Sequence, residues 1–358
     1  MAKHEIAEET GKGPAVVVST GRSTGKGPDA TRRIVVGTDG SANAGRAVVW
    51  AAAQALRTGS VLEVVTGFGS GYVLTKPSDA KRAMSQVLDA AQDIAESAAP
   101  GVVVKRRSLQ GSPESLLMQE AEAADLLVVG SRGLGGFKGR LLGSVSRRCV
   151  HRAPCPVVVV RGPGDASAGS AGDAGTPATA PDGGAAPDGG AVPDGHQPGR
   201  PRVVVGIDGS PSSIAAAGWA ARQAELTGAV LEGVMAWELP TSYGMSLPVP
   251  SDWDPDHDTE VLLENSLEPV RNAHPDVEIQ AAVVEGHPSM ILEKASNGAD
   301  LLVVGSRGHG EFTGMLLGSV SEHCVVHANC PVLVLRDPSD GPGGDGTDEP
   351  DAGSTPNA

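Results

Sequence analysis

The chain has few aromatic residues and no long apolar segment. Phe, Tyr and Trp together make up 3% of its 358 residues, whereas Ala, Val and Leu are abundant. A core of small aliphatic side chains is typical of helices packed on a Val-rich parallel sheet. No segment approaches the roughly 20 apolar residues that a membrane-spanning helix needs, and Met1–Pro14 lacks the apolar centre of a secretory signal. These absences predict a cytoplasmic protein.

Positive charge is also scarce. The formal net charge is −15, and such a field disfavours nucleic acid and anionic membrane surfaces as partners. Familiar nucleotide motifs are missing as well. GKGP is not followed by Ser or Thr, so it is not a Walker-type phosphate loop, and the sequence lacks His-x-Gly-His and Ser-Gly-Gly-x-Asp-Ser.

Cysteine is limited to four residues, Cys149, Cys155, Cys324 and Cys330. A disulfide or a metal site is one interpretation. Unpaired, buried thiols in a reducing compartment are the favoured one, because free cysteine is often buried. His323 and His327 lie near the second pair and suggest zinc, but Arg occupies both corresponding positions, 148 and 152, in the first half of the chain. We therefore expect no metal site in the protein itself.

What the sequence does contain is an internal repeat. RIVVGTDGS at Arg33–Ser41 returns as RVVVGIDGS at Arg202–Ser210, and ADLLVVGSRG at Ala124–Gly133 returns at Ala299–Gly308. The second copy carries six extra residues between these landmarks, which we place in Glu238–Asp258. The sequence therefore predicts two tandem copies of one domain, at 32–161 and 201–336.

The segments outside the copies have a different composition. Residues 1–31, 162–200 and 337–358 are rich in Gly, Pro, Asp or Lys and poor in apolar residues, so they are expected to be disordered. As a flexible coil, the linker at 162–200 would reach roughly 35 Å. That reach lets the two copies meet in almost any orientation.

Short apolar runs alternate with segments of helical period in the first copy. We predict a helix after Ser41, another after the capping Ser112, and helices at Asp79–Ser97 and Ser144–Arg152. The predicted strands are Ile34–Thr38, Val61–Phe68, Gly101–Leu109, Leu126–Val129 and Pro156–Val160. This alternation predicts an α/β fold of two doubly wound domains, each a five-stranded parallel sheet with helices on both faces.

A glycine-rich loop follows the fourth strand in both copies. GSRGLGGFKGRLLGSVS at Gly130–Ser146 and GSRGHGEFTGMLLGSVS at Gly305–Ser321 are identical at 13 of 17 positions. Glycines let backbone amides approach an anion, and the start of the next helix adds unsatisfied amides and a favourable dipole. Asp39 and Asp208 end the first strands at the same edge, where open α/β sheets bind ligands. The pattern predicts a phosphate-binding site in each copy.

These motifs resemble the ATP-binding signature of the universal stress protein family. The resemblance covers Arg33–Arg161 and Arg202–Arg336 and includes the segments GSPESLL, GHPSMIL, APCPVVVV and ANCPVLVL. The resemblance implies strand order 3-2-1-4-5, dimer-like pairing through the fifth strands, a role in stress survival and ATP as ligand, with Mg²⁺ carried by the phosphates. It places the nucleotide of the first copy near Thr38, Asp39, Gly67, Gly130, Arg132, Gly133, Gly143, Ser144, Val145 and Ser146. The corresponding positions in the second copy are Ile207, Asp208, Ala236, Gly305, Arg307, Gly308, Gly318, Ser319, Val320 and Ser321.

Three functions are compatible with this pattern. An ATP-binding sensor or stress regulator is favoured over a slow ATPase or phosphotransfer enzyme, because no carboxylate or histidine occupies the same place in both loops. His309 and Glu311 occur in the second copy only. A nucleotide-free scaffold is the third possibility, and the intact glycine frame argues against it. We therefore expect no catalytic residue and no rapid turnover.

The two copies differ in loop charge and in one strand-end hydroxyl. Arg132, Lys138 and Arg140 give the first loop +3, whereas Arg307 and Glu311 cancel in the second. Our hypothesis is that the first copy binds the triphosphate more tightly. The replacement of Thr38 by Ile in the second copy also removes a hydroxyl that would contact ribose or metal-bound water.

The fifth strands would leave exposed apolar edges if each copy stood alone. VVVVR at Val157–Arg161 and VLVLR at Val332–Arg336 remove this liability if they pair with each other inside one chain. A tandem chain would then serve as its own dimer. We expect it to be a monomer in solution that acts on an unknown protein partner.

Overall fold

A computed structural model describes residues 32–68, 77–134, 142–162, 200–239, 241–242, 245–246, 254–308 and 317–336. The segments expected to be disordered lie outside these residues, apart from Gly162 and Arg200. The first repeat contains β1 (Arg33–Gly37), α1 (Ala42–Thr58), β2 (Val61–Phe68), α2 (Pro77–Ala98), β3 (Val104–Gln110), α3 (Pro113–Ala121), β4 (Leu126–Gly130), α4 (Ser144–Arg152) and β5 (Val157–Val160).

The second repeat has the same succession with a longer connection after its second strand. Its elements are β6 (Arg202–Gly206), α5 (Pro211–Thr227), β7 (Val230–Trp237), the two-residue strands β8 (Thr241–Ser242) and β9 (Met245–Ser246), α6 (Pro255–Ala273), β10 (Ile279–Glu285), α7 (Pro288–Ala295), β11 (Leu301–Gly305), α8 (Ser319–His327) and β12 (Val332–Leu335). The extra length lies between β7 and α6, where the sequence placed it. Among the described helices, none has the length and hydropathy needed to span a membrane.

Local signals set several of these boundaries. Ser41 and Ser112 accept hydrogen bonds from the backbone amides of Ala44 and Ser115, and these caps start α1 and α3 as expected. The third strand was placed too early, because it begins at Val104 instead of Gly101. Gly101 has φ +93°, a left-handed conformation that belongs to the turn after α2 and is incompatible with a strand.

One ten-stranded sheet runs through both repeats. Its order is β10-β7-β6-β11-β12-β5-β4-β1-β2-β3, so each half has the expected order 3-2-1-4-5. Neighbours within each half are parallel, and β5 pairs with β12 antiparallel, with Val158 opposite Leu333. The predicted pairing of the fifth strands inside the chain is therefore confirmed. Because the joint is antiparallel, the carboxyl ends of the two sets of strands point in opposite directions.

The core lies on both faces of this sheet and crosses the joint. One cluster includes Val36 and Leu62 of the first repeat together with Leu231 and Leu333 of the second, and the cluster on the other face is likewise shared. Fully burying a Val or Leu side chain contributes roughly 1.5–3 kcal/mol. The two repeats therefore share their cores and stabilise each other.

Candidate functional site

The carboxyl ends of β1, β2 and β4 open into a cavity of about 270 Å³ in the first repeat. Its walls come from these strand ends, the starts of α1 and α4, and α3. All ten positions predicted for this repeat lie in the lining, namely Thr38, Asp39, Gly67, Gly130, Arg132, Gly133, Gly143, Ser144, Val145 and Ser146. The volume is close to the lower end of the range for ligand pockets, about 300–1,000 Å³.

The start of α4 forms one wall of the cavity. Gly143 occupies the cap position of this helix in an extended conformation and offers no side-chain cap to its first amides. Its own amide donates to the carbonyl of Ser131 at 2.8 Å. Such a helix start presents N–H groups and the positive end of the helix dipole to the cavity, which suits an anionic group.

The two serines of α4 have different surroundings. Ser146 is buried, and its hydroxyl donates to the carbonyl of Gly130 at 2.6 Å, so it ties the helix to the end of β4. Ser144 is exposed at the first position of the helix. Of the two hydroxyls, Ser144 is therefore the one placed to meet a ligand.

Asp39 links the first strand to the glycine-rich loop. Its carboxylate accepts from the amide of Ser41 at 3.0 Å and from the amide of Leu134 at 2.7 Å. A Cβ atom on Gly133 would lie 2.3 Å from Asp39 Oδ2. A side chain at position 133 would therefore displace this carboxylate and alter the mouth of the cavity.

Another glycine of the frame is required by helix packing. A Cβ atom on Gly130 would lie 2.8 Å from the backbone of Asn43, at the start of α1. In the second repeat, a Cβ atom on Gly305 would approach Ser212 Oγ to 2.7 Å. Part of the glycine pattern therefore serves the contact between a strand end and a helix, in addition to any ligand.

The second repeat places its predicted residues in corresponding positions. Gly318 caps α8, Ser321 Oγ donates to the carbonyl of Gly305 at 2.6 Å, and a Cβ atom on Gly308 would lie 2.3 Å from Asp208 Oδ2. Ser319 is exposed at the helix start, as Ser144 is. The other predicted positions are Ala236, which is half-buried near the end of β7, Arg307 in the loop, and Val320 in the first turn of α8.

Ile207 replaces Thr38 in the second repeat, and the effect of the missing hydroxyl on a ligand stays a prediction. Its side chain is buried in the core cluster that contains Leu267, close to Gly233 of β7. In the first repeat, the hydroxyl of Thr38 accepts from the backbone amide of Gly40 at 3.3 Å. The structure therefore gives the hydroxyl a role in the turn and gives Ile207 a role in packing.

Apolar wall residues were missed by the sequence reasoning. Val65, Leu116, Leu117 and Leu142 line the cavity together with Pro113. The signal that could have found them is the helix start GSPESLL, because a helix that begins beside the strand ends directs its first apolar residues toward that edge. These side chains give the cavity an apolar part in addition to the amides at the start of α4.

The four cysteines are all buried and unpaired, as expected. Burial raises the pKa of each thiol to about 12. His323 and His327 stack with ring centroids 4.4 Å apart, and His323 Nε2 lies 2.6 Å from Glu293 Oε2. Across the described residues, no group of three or more His, Cys, Asp or Glu side chains is arranged to hold a metal ion.

Comparison of the sequence with known proteins supports the observed fold. The universal stress protein family matches it twice, at residues 30–161 and 199–336. The chain belongs to the universal stress protein family. A universal stress protein of Mycolicibacterium smegmatis is 31% identical over 316 residues, which cover 85% of this chain and 96% of that protein. A universal stress protein of Mycobacterium tuberculosis is 30% identical over 321 residues, with the same coverage.

Solved universal stress protein structures share the architecture. One from Archaeoglobus fulgidus is 23% identical, with a TM-score of 0.54, and the match covers 85% of this chain and 98% of that one. A universal stress protein in complex with cAMP is 34% identical over 37% of this chain and 98% of its own, with a TM-score of 0.31. The first likeness extends over both repeats and supports the tandem fold.

The loop residues behind the predicted charge difference lie largely outside the described part of the chain. Lys138, Arg140, His309 and Glu311 fall in the segments 135–141 and 309–316. Arg132 and Arg307 are described and occupy corresponding positions after β4 and β11. The difference in affinity between the repeats therefore stays a prediction.

Proposed function

We propose that this universal stress protein binds ATP with Mg²⁺, one nucleotide in each repeat, and acts as a sensor or regulator of the stress response. The observation that carries the proposal is the single cavity that joins all ten predicted positions of the first repeat. The second repeat has the same glycine frame, the same strand-end aspartate and the same serine at the helix start. The four unpaired thiols of the chain support a place in the reducing cytoplasm.

The two kinds of wall suit the two ends of a nucleotide. Val65, Leu116 and Leu117 provide an apolar surface for a base, and the uncapped amides of α4 provide donors for phosphate oxygens. Arg132 adds a positive charge to the same lining. Mg²⁺ would reach the site bound to the phosphates, because magnesium is commonly held by substrate phosphates together with few protein groups.

Binding without rapid turnover is the favoured form of this function. Among the described lining residues, Asp39 is the one carboxylate and histidine is absent. Asp39 already accepts hydrogen bonds from the amides of Ser41 and Leu134, so its oxygens hold the loop. A general base must be within hydrogen-bond reach of the attacking water and available to accept its proton. Asp39 is poorly placed for that role.

Binding is tested by calorimetric titration of the full chain with ATP and Mg²⁺, after identification of any nucleotide that copurifies. We expect two ATP per wild-type chain and one ATP per chain for Gly133→Trp or Gly308→Trp, since either side chain would displace the facing aspartate. Thermal unfolding of both variants shows whether the fold is retained. A folded wild-type chain that binds no nucleotide would refute the proposal in favour of a scaffold. Steady phosphate release that disappears in Glu311→Gln would instead identify a slow ATPase.

The same two variants test the asymmetry. We expect Gly308→Trp, which retains the first site, to bind ATP a few-fold to about tenfold more tightly than Gly133→Trp, because exposed charge pairs contribute roughly up to 1 kcal/mol. The difference should shrink at high salt, since these loop charges are screened. Equal affinities in the two variants would contradict the hypothesis.

A further inference from the structure

Two arginines cross from one repeat to the other. Arg161 follows β5, is 7% exposed, and donates through Nη1 to the carbonyl of Val325 at 2.8 Å. Arg336 follows β12 at the corresponding place and donates through Nη2 to the carbonyl of His151. Each repeat therefore supplies one guanidinium to the backbone of the other.

The acceptors lie at the far ends of the two helices that begin at the candidate sites. Val325 belongs to the end of α8, which starts at Gly318 and Ser319, and His151 belongs to the end of α4, which starts at Gly143 and Ser144. Carbonyls at a helix C-terminus lack partners within the helix, and a cation there also favours the helix dipole. Each nine-residue helix is thus completed by an arginine of the opposite repeat.

The same arginines are connected to the loop of their own repeat. The amide of Ser131 donates to the carbonyl of Val160, the residue before Arg161, at 2.9 Å, and the amide of Ser306 donates in the same way to Leu335 at 2.7 Å. Ser131 and Ser306 in turn accept from Gly143 and Gly318, the cap residues of α4 and α8, at 2.8 Å. Hydrogen bonds and the short backbone segments between them therefore lead from the loop of one site to the helix of the other.

We propose that Arg161 is a positioning residue for the site of the second repeat and that Arg336 is a positioning residue for the site of the first. This inference rests on the proposed binding of ATP. Each arginine holds the far end of a short helix, so the start of that helix keeps its place beside the phosphates of the nucleotide.

The test measures each site separately in the full chain, using ATP with Mg²⁺ as the probe. Gly308→Trp isolates the first site and Gly133→Trp isolates the second. We expect Arg336→Met to weaken binding at the first site by about three- to tenfold, and Arg161→Met to weaken it at the second site by a similar factor. Each change should have a much smaller effect on the site of its own repeat. Arg161→Lys, which keeps the charge, should restore part of the lost affinity.

A matched control separates this effect from a general loosening of the interface. Gln54 of α1 and Gln223 of α5 also join the repeats, through reciprocal buried hydrogen bonds of 2.7 and 3.0 Å, but they belong to helices that do not carry the phosphate-facing amides. We expect Gln54→Met to lower the melting temperature and to leave both ATP affinities within about twofold of the parent.

Three outcomes would overturn the inference. These are an Arg161→Met variant that weakens its own site as much as the opposite one, an Arg161→Met variant that changes neither affinity, and a Gln54→Met variant that reproduces the effect of Arg161→Met. In each of these cases the wild-type chain still binds ATP, so the proposed function is unaffected. Absence of binding in the wild-type chain would refute the proposed function itself.

Discussion

Glu63 lies within β2, a strand of mainly apolar residues, and is almost fully buried although it carries a carboxylate. Arg33 forms ion pairs with Glu63 and Glu120, and Arg107 approaches the same two carboxylates at 3.3 and 3.0 Å. In the second repeat, Glu232 is paired with Arg202. A buried carboxylate persists in a strand because charged partners replace the water that it has lost.

We expect Glu63→Gln to reduce the free energy of unfolding by about 2–4 kcal/mol, because the change leaves two guanidinium groups without one of their carboxylates. Urea unfolding followed by circular dichroism measures this loss. Glu232→Gln is the matched control in the other repeat, where one arginine pairs with the carboxylate, and its loss should be smaller. A larger loss for the control would contradict this account.

The same cluster makes the stability depend on pH. Burial alone would raise the pKa of Glu63, but its hydrogen bond with Arg33 and the charges of Arg33 and Arg107 outweigh burial and lower that pKa from 4.5. A carboxyl with a lower pKa in the folded state contributes stability that is complete above the unfolded pKa and is lost as pH falls through the folded pKa. Below about pH 4.5, the wild-type unfolding free energy should therefore fall more steeply than that of Glu63→Gln. Parallel curves between about pH 7 and pH 3 would show that another group is responsible.

At the scale of elements, the joint between β5 and β12 is a central part of the core. Leu333 is fully buried opposite Val158 and belongs to the cluster that both repeats share. We expect Leu333→Ala to cost about 2–5 kcal/mol, in the range of large-to-small core changes. Calorimetry should also show that it separates one unfolding transition into two, because the contacts that couple the repeats are weakened.

Leu302 provides the control for that experiment. It is equally buried in β11, the strand next to β12, and so it makes no direct strand pairing across the joint. Leu302→Ala should cost a similar free energy while both repeats still unfold together. If both variants unfold in a single transition, the joint does not couple the repeats in the way described.

Features with local causes were the ones that the sequence could predict. The starts of α1 and α3 depend on a serine and the amides just after it, and the exact span of α4 at Ser144–Arg152 follows from the Gly-Ser start. The strand-end aspartate and the glycine loop were predicted to meet at one edge of the sheet, whereas the full set of ten positions came from the resemblance to the family. Their role in binding remains a prediction.

Features that depend on distant partners were not predicted. The ion pairs of Glu63 join residues far apart in the sequence, and the donors to Val325 and His151 come from the other repeat. The sequence around Glu63, Val325 or His151 contains no pattern that indicates which distant residue contacts it. The packing of Ile207 in the core is a further feature of this kind, since a strand-end residue can face either side of the sheet and its neighbours decide which.

At the scale of the whole molecule, the intrachain joint bears on assembly. The fifth strands, β5 and β12, pair with each other, so the outer strands of the sheet are β3 and β10. Lys105, Arg106 and Arg107 follow one another in β3, and charge of this kind discourages pairing between edges. Light scattering should therefore give a mass near 36.1 kDa for the chain in solution. A stable species of twice that mass would contradict a monomer.

Charge also selects which repeats pair. Arg147 Nη2 lies 3.2 Å from Glu322 Oε1, and the two residues occupy corresponding positions in α4 and α8. Contact between two first repeats would place Arg147 against another Arg147, and contact between two second repeats would place two glutamates together. The arrangement therefore favours unlike repeats as partners.

A charge-reversal cycle measures this preference. Both side chains are about half exposed, so the pair contributes roughly 0.2–1 kcal/mol. We expect Glu322→Arg to lower the melting temperature by about 2–4 °C at low salt, and the added Arg147→Glu change to restore it. High salt should reduce the effect through screening. Failure of the second change to restore stability would show that the ion pair has no part in the preference.

Under the proposed function, the reversal of strand direction at the joint has a consequence for any protein that detects the bound nucleotides. The two sites open at opposite ends of the strands, so one flat docking surface can touch the mouth of one site only. A partner protein that contacts both sites must extend around the sheet, or two separate molecules must bind. A receptor that approaches from one side would therefore detect the proposed nucleotide at one of the two sites only.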